Sequence, residues 1–231
     1  PEEDFLRVVK SEAKIKTWWH KDILPLMMEQ LYDTKYLKFT GGEPFLIPHV
    51  RKIIKRLYEE EVSPAVRLSI ITNGTVPIDS EMLKMLLSFK DVVFLVSIDG
   101  IEDRFEYIRQ GAEWKQVEAN LKKFKEIEVN NNNFHLNINY LPMSINAAQN
   151  ESAEAWAKDL KVSFSKSVEI YRPKYLTYAS LSVKLRDRYN ITSVHEYDEE
   201  QYNQLLKHMA IKDKLLGTDF KSACPEFFED E

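Results

Sequence analysis

Three stretches put small and polar residues directly behind apolar runs: Gly41-Gly42-Glu43-Pro44, Thr72-Asn73-Gly74 and Ser97-Ile98-Asp99-Gly100. Two successive glycines free the backbone for φ > 0 and for close approach to a ligand. Pro44 then fixes the exit and withholds an amide from any continuing ladder, so Glu43 and the free groups of Gly41 and Gly42 face outward where a strand ends. With Asn73, Arg109 and the polar residues around Asn139, these groups converge on a pocket of carbonyl and carboxylate acceptors, hydroxyls, amides and one guanidinium. Taken singly, each has a plainer reading. Glu43 can be a solvated turn residue, Arg109 half of a surface ion pair, Asp99 the cap of a following helix and Asn139 a satisfied core amide. With Glu43 and Asp99 as acid and base, the same rim would also suit an ordinary barrel enzyme acting on a small metabolite.

The elements that must position these residues alternate. Apolar spacing predicts helix over 3–35, where Pro25 has to lie in a first turn, and a buried strand over 36–40. A helix opened by Pro48 runs to about Glu61, its Arg51, Lys52, Lys55 and Arg56 forming a solvated face. Strands follow at 67–72, 92–98 and 134–141, and a fifth at 162–170 alternates Val162, Phe164, Val168 and Ile170. Between them lie helices from Asp79 or Ser80 to Phe89, from Ile101 with a break near 110–112 and a second run over 114–129, and over 147–160. Trp18, Trp19, Trp114 and Trp156 read as packing residues. After Pro173 the pattern weakens, leaving one helix over 196–216 and an acidic end, Glu226 to Glu231, expected to be mobile. Repeated strand and helix imply an α/β fold of parallel strands joined by right-handed crossovers, open or closed into a barrel. In such folds ligands bind at the carboxyl ends of the strands.

Composition narrows the classes. At 231 residues, 44% hydrophobic and 30% charged, the chain can build a sizeable core. A formal net charge of -5 with no dominant basic block argues against a nucleic-acid or anionic-membrane partner. No apolar run reaches spanning length and no charged-then-apolar leader opens the chain, so the cytoplasm is the expected compartment. A single cysteine, Cys224, excludes an internal disulfide and any all-cysteine metal site made by this chain alone. The five histidines show no spacing suited to zinc.

The order and spelling of the three glycine signatures resemble the radical S-adenosylmethionine superfamily, whose second barrel strand ends in Gly-Gly-Glu-Pro. Thr72-Asn-Gly-Thr75, Ser97-Ile-Asp-Gly100 and Tyr107-Ile-Arg-Gln-Gly-Ala-Glu-Trp114 follow in order. The last of these, with Asn139-Tyr-Leu-Pro142 and Tyr171-Arg-Pro-Lys-Tyr-Leu176, is similar to the twitch-domain-containing branch, and the resemblance runs from about residue 15 to about 180. It implies a partial (β/α)6 TIM-like barrel over residues 1–174, with about five strands present, and a carboxyl-terminal extension over 175–231 that begins a twitch-type region. It also implies that S-adenosylmethionine sits at the rim. Gly41, Gly42 and Glu43 would hold the methionyl amino group and Arg109 its carboxylate, with Ser97 and Thr72 at the ribose, Asn73 on the same turn, and Asp99 and Asn139 nearer the adenosyl or substrate side. An amino group needs acceptors and a carboxylate is best met by a planar guanidinium, so the residue types agree.

The implied chemistry is reductive cleavage of S-adenosylmethionine to a 5'-deoxyadenosyl radical, followed by hydrogen abstraction from a small-molecule or peptide substrate, with electrons from a reductant protein such as flavodoxin or ferredoxin. Here the sequence departs from the pattern. The family holds a [4Fe–4S] cluster through a Cys-x3-Cys-x2-Cys loop after the first strand, and this chain has neither loop nor strand for it. Its ligands are expected in an amino-terminal segment upstream of residue 1, Cys224 being no substitute. The rival expectation is a cluster-free module that binds adenosylmethionine or another nucleotide and acts through partners.

Overall fold

The computed structural model describes residues 29–193 and 195–229. Of the helix expected over 3–35, only a last turn at 29–31 falls within them, and Trp18 and Trp19 lie outside. Five strands, β1 (Tyr36–Phe39), β2 (Arg67–Thr72), β3 (Asp91–Ser97), β4 (Phe134–Tyr140) and β5 (Ser163–Lys166), form one sheet in the order β1-β2-β3-β4-β5. Every neighbouring pair is parallel, so all carboxyl ends lie at one edge.

Helices cover one face. The crossovers are α1 (Pro48–Glu59), α2 (Ser80–Leu87), α3 (Glu102–Ile108) with α4 (Trp114–Asn130), and α5 (Asn150–Asp159). On α1 the buried stripe is Val50, Ile53, Ile54 and Leu57, while Arg51 reaches Asp79 at 2.7 Å and also Glu81, at the start of α2. Asp79 in turn caps α2 by accepting from Met82 N. The basic face of α1 is thus outward, as its spacing predicts, but Arg51 ties α1 to α2 rather than standing in solvent.

Alternation along the strands decides what each face carries. The register rows Leu68, Val92, Phe134 and Ile70, Phe94, Leu136 point into the helix layer and are essentially inaccessible. Phe94 sits at the centre, with the rings of Phe134, Phe124 and Phe45 at 4.7, 5.4 and 5.5 Å. Trp114 packs between Phe105 and Trp156, as a core tryptophan should. The opposite rows, Ile71, Leu95, Asn137 and then Ser97, Asn139, are half-buried and become polar toward the carboxyl ends.

The two outer strands depart from the sequence expectation. Tyr36 is 59% exposed, because β1 is paired on one side only among the described residues. The fifth strand spans four residues rather than nine, and Val168, expected inside, is 89% exposed. Ser167 N still bonds Tyr140 O, but the chain leaving β4 next offers Pro142, which has no amide to return, so the regular ladder stops there although Ile170 N bonds Pro142 O.

Beyond β5 come two 3-10 turns, Lys174–Leu176 and Tyr178–Ser180, then α6 (Val183–Arg188), α7 (Glu199–Leu216) and α8 (Phe220–Ala223). Leu205, Met209, Phe220, Cys224 and Phe227 build a second core on the rim side against Tyr107, Met143 and Ile145. For Glu226 to Phe228 this packing corrects the expectation of a mobile acidic end, residues 230 and 231 lying outside those described. Glu226 is 7% exposed, its carboxylate accepting from both terminal nitrogens of the buried Arg104 at 2.6 and 2.9 Å, and Phe227 is buried beside it. No helix among the described residues is long and apolar enough to cross a membrane.

Candidate functional site

The first two signatures are joined through Glu43. Its carboxylate accepts from the Thr72 hydroxyl at 2.9 Å, from Asn73 N at 2.8 Å and from Phe45 N at 3.2 Å, and the residue is 7% exposed. Charge-assisted bonds of this kind hold the loop after β1 against the loop after β2. Glu43 is therefore turned inward as a brace, and the solvated-turn reading does not hold. Thr72 lies on the helix-covered face, one residue out of phase with Ser97 in the register, and its hydroxyl also accepts from Gly74 N. Asn73 closes its own turn, its Oδ1 accepting from Thr75 N and Oγ1 at 2.9 and 2.6 Å.

Gly41 and Gly42 remain exposed, at φ +88° and +56°. Nothing lies within 4 Å of where a Cβ would stand on either, so their backbone conformation rather than lack of room demands glycine there. The result is a loop whose peptide groups are accessible from the rim while Glu43 fixes it from behind.

The third signature carries the ion pair. Arg109 is the residue that ends α3, and its Nε and terminal nitrogen meet Asp99 Oδ2 at 2.9 and 2.7 Å. Burial pushes the Asp99 carboxyl above its ordinary range, with the Arg109 guanidinium opposing that shift. Asp99 does not cap α3: the N-cap is Ile101, whose N–H goes to Gln149 Oε1 at 2.9 Å. Ser97 and Asn139 are register partners on the half-buried face, and Asn139 Oδ1 accepts from Ser167 Oγ at 2.9 Å.

Two further asparagines, which the sequence reading did not single out, position these groups. Asn146, fully buried, donates from Nδ2 to Asp99 O and Leu141 O, both at 2.9 Å, tying the end of β3 to the end of β4. Asn120, also fully buried on α4, donates to Gly74 O at 2.8 Å. A polar residue on an apolar helix face was the only available signal, and α4 carries Asn120 between Val117 and Leu121.

All nine sequence-predicted residues thus stand at or beside the carboxyl ends of β1 to β4. They divide in two. Glu43, Thr72 and Asn73 spend their side chains on one another, whereas Gly41, Gly42, Ser97, Asn139 and the Asp99–Arg109 pair line the accessible side. A donor set of open peptide groups, hydroxyl, amide and guanidinium fits a ligand bearing an ammonium, a carboxylate and ribose hydroxyls. It does not fit an iron–sulfur cluster. Among the described residues no three His, Cys, Asp or Glu side chains are grouped to hold a metal ion, and Cys224 is buried with its Sγ directed to Ile145 O at 3.4 Å.

Comparison with solved structures finds likenesses of low identity. Streptococcus suis SuiB bound to S-adenosylmethionine is 16% identical over 89% of this chain and 45% of that one, with a TM-score of 0.49. SuiB bound to precursor peptide SuiA is 14% identical over 89% and 44%, at 0.46. A domain of pyruvate-formate lyase-activating enzyme from Bacteroides vulgatus ATCC 8482 is 13% identical over 76% and 95%, also at 0.46. At these scores the likenesses carry no functional weight, and the chain spans less than half the length of the SuiB structures. No curated protein sequence matches. The family model of the Radical SAM superfamily matches residues 21–147, which is more than half of the chain and runs through β1 to β4 with every rim residue described above. By that match the chain belongs to the radical SAM superfamily.

Proposed function

We propose that this chain is the S-adenosylmethionine-binding core of a radical SAM enzyme acting on a peptide or small-molecule substrate, the whole protein drawing electrons from a reductant protein. The observation that supports it best is the separation of the rim residues into a buried brace and an accessible, charge-matched lining. Gly41 and Gly42 would offer peptide oxygens to the methionyl ammonium, with the Glu43 charge behind them. Arg109 would take the carboxylate, exchanging part of its bond with Asp99 for it. Ser97 would meet the ribose and Asn139 stand nearer the adenosyl or substrate side, with Thr72 and Asn73 acting by holding Glu43. Residues 175–229 would begin a twitch-type extension, packed on the rim through Tyr107, Met143 and Ile145.

When bound beside a reduced [4Fe–4S] cluster, S-adenosylmethionine supplies one-electron chemistry that activates a substrate C–H bond. The residues of this chain would bind and orient it, while the helix layer closes the opposite face of the sheet to water. The cluster would be held by residues outside those described.

Isothermal calorimetry of the chain with S-adenosylmethionine tests the reading. Arg109→Ala should weaken binding about tenfold or more, the loss expected for one charge-assisted contact, and Asn139→Ala by a smaller factor. Unchanged affinity in both variants would overturn the assignment.

A further inference from the structure

A cavity of about 290 Å³ opens beside the carboxyl ends of β4 and β5. Asn150, the first residue of α5, lines it and is only 7% exposed. Its Nδ2 donates to the Tyr178 hydroxyl at 3.0 Å, while its Oδ1 is buried with no hydrogen-bond partner. Tyr178, 5% exposed, lines the same cavity. Its hydroxyl accepts from Asn150 but gives its proton to no acceptor among the described residues. Burial raises its pKa, so the phenol keeps that proton. An acceptor and a donor therefore stand side by side, both unmet. A buried polar group left without a partner is destabilising, so such a pair marks a place where something else supplies the partner.

The cavity adjoins the candidate cradle. Ser167 forms part of its wall and donates to Asn139 Oδ1 at 2.9 Å, so the two sites share one hydrogen-bonded partition. Glu169, also in the wall, is already engaged: its oxygens accept from Tyr178 N and from Ser193 Oγ. Lys166 stands at the end of β5, is exposed, and forms no ion pair with a described residue.

We propose that this cavity is a subsite for the backbone of an extended peptide segment, seated next to the S-adenosylmethionine cradle. One residue in extended conformation presents its N–H and C=O on the same side, as it does when exchanging both bonds with a neighbouring strand. On a rotation of the Asn150 side chain that opens its buried Oδ1 to the cavity, the N–H meets that oxygen and the C=O meets the Tyr178 hydroxyl. A carboxylate would leave Asn150 Oδ1 without a donor, and an apolar group would leave both unmet. Main-chain recognition of this kind gives affinity without demanding a particular side chain, and Lys166 is free to favour an acidic residue nearby. The inference deepens the reading of the rim as a catalytic edge and rests on it for the identity of the peptide as substrate.

The test is a titration of the full chain, without S-adenosylmethionine, followed by amide chemical shifts. Three probes are used: acetyl-dialanine methylamide, its ester analogue in which the central N–H is replaced by oxygen, and N-methylacetamide. The peptide should shift Asn150, Ser167 and Tyr178, and the ester should bind about three- to tenfold more weakly for want of one donor. Asn150→Leu should abolish that preference. Tyr178→Phe, which keeps the ring packed, should weaken the peptide by a similar factor and serves where Asn150→Leu does not fold. Equal binding of amide and ester, or no shift at these residues, leaves a water-filled cavity only and overturns the proposal. N-methylacetamide binding as well as the peptide overturns the assignment to a peptide backbone. Because the cradle's ligand is absent, failure of the cradle reading would appear separately, as lost S-adenosylmethionine binding with the peptide shifts intact.

Discussion

Asp99 is pulled two ways: its surroundings penalise the charge and Arg109, at 2.7 Å, favours it. Its folded-state pKa lies above the ordinary carboxylate value, so the native state keeps a proton at pH values where the unfolded chain has lost it. Stability from this group is therefore greatest below the ordinary value and falls as pH rises toward the raised one. Arg109→Ala removes the guanidinium that opposes this shift and should move the Asp99 titration further upward, read by carboxyl carbon shifts. An unmoved titration would mean that the pair does not persist in solution. Cys224 gives a second expectation at this scale. Burial pushes its thiol up to about 12, so the native protein should be unreactive toward a thiol-specific disulfide reagent at pH 8 and react fully once unfolded. Rapid labelling under native conditions would contradict the packing around it.

The turn after β2 shows how an element rather than a residue sets the site. Gly74 has φ +74°, and a Cβ there would stand 3.0 Å from Val96 Cγ1 and 3.3 Å from Val117 Cγ1. Its carbonyl is held by Asn120 and its amide by Thr72, the residue that bonds Glu43. Gly74→Ala should therefore cost about 1–3 kcal/mol from strain and crowding together, measured by urea unfolding, and should weaken S-adenosylmethionine binding because the brace shifts with the turn. Wild-type stability would show that the turn relaxes freely. Gly41 and Gly42 differ, since their Cβ positions are open and only the backbone angle resists substitution.

At the scale of the molecule, Arg104 and Glu226 pin the carboxyl-terminal layer to α3. Arg104 also donates to Ile145 O at 2.9 Å and Ala223 O at 3.0 Å, so one guanidinium joins three segments. Glu226→Ala leaves that buried charge uncompensated and should destabilise by about 3–5 kcal/mol; a change under 1 kcal/mol in chemical denaturation would show the pair to be solvated. Much of this protein was legible without coordinates. The parallel order, the helix and strand positions among the described residues to within a few residues and the three glycine signatures at the rim followed from apolar period and glycine placement, because both are local properties of the chain; the roles of Arg109 and Asn139 came from the family resemblance. The ends of the sheet were not: β1 reads as buried from its residue types but is exposed as an edge, and β5 stops early because its partner meets Pro142. Nor was the inward turn of Glu43, the Asp99–Arg109 pair, the buried Asn120 and Asn146, or the packing of Glu226 on Arg104, which lies 122 positions away. Periodicity says which face a residue takes and a glycine says where the backbone can bend. Which donor meets which carboxylate depends on segments that only the folded chain brings together.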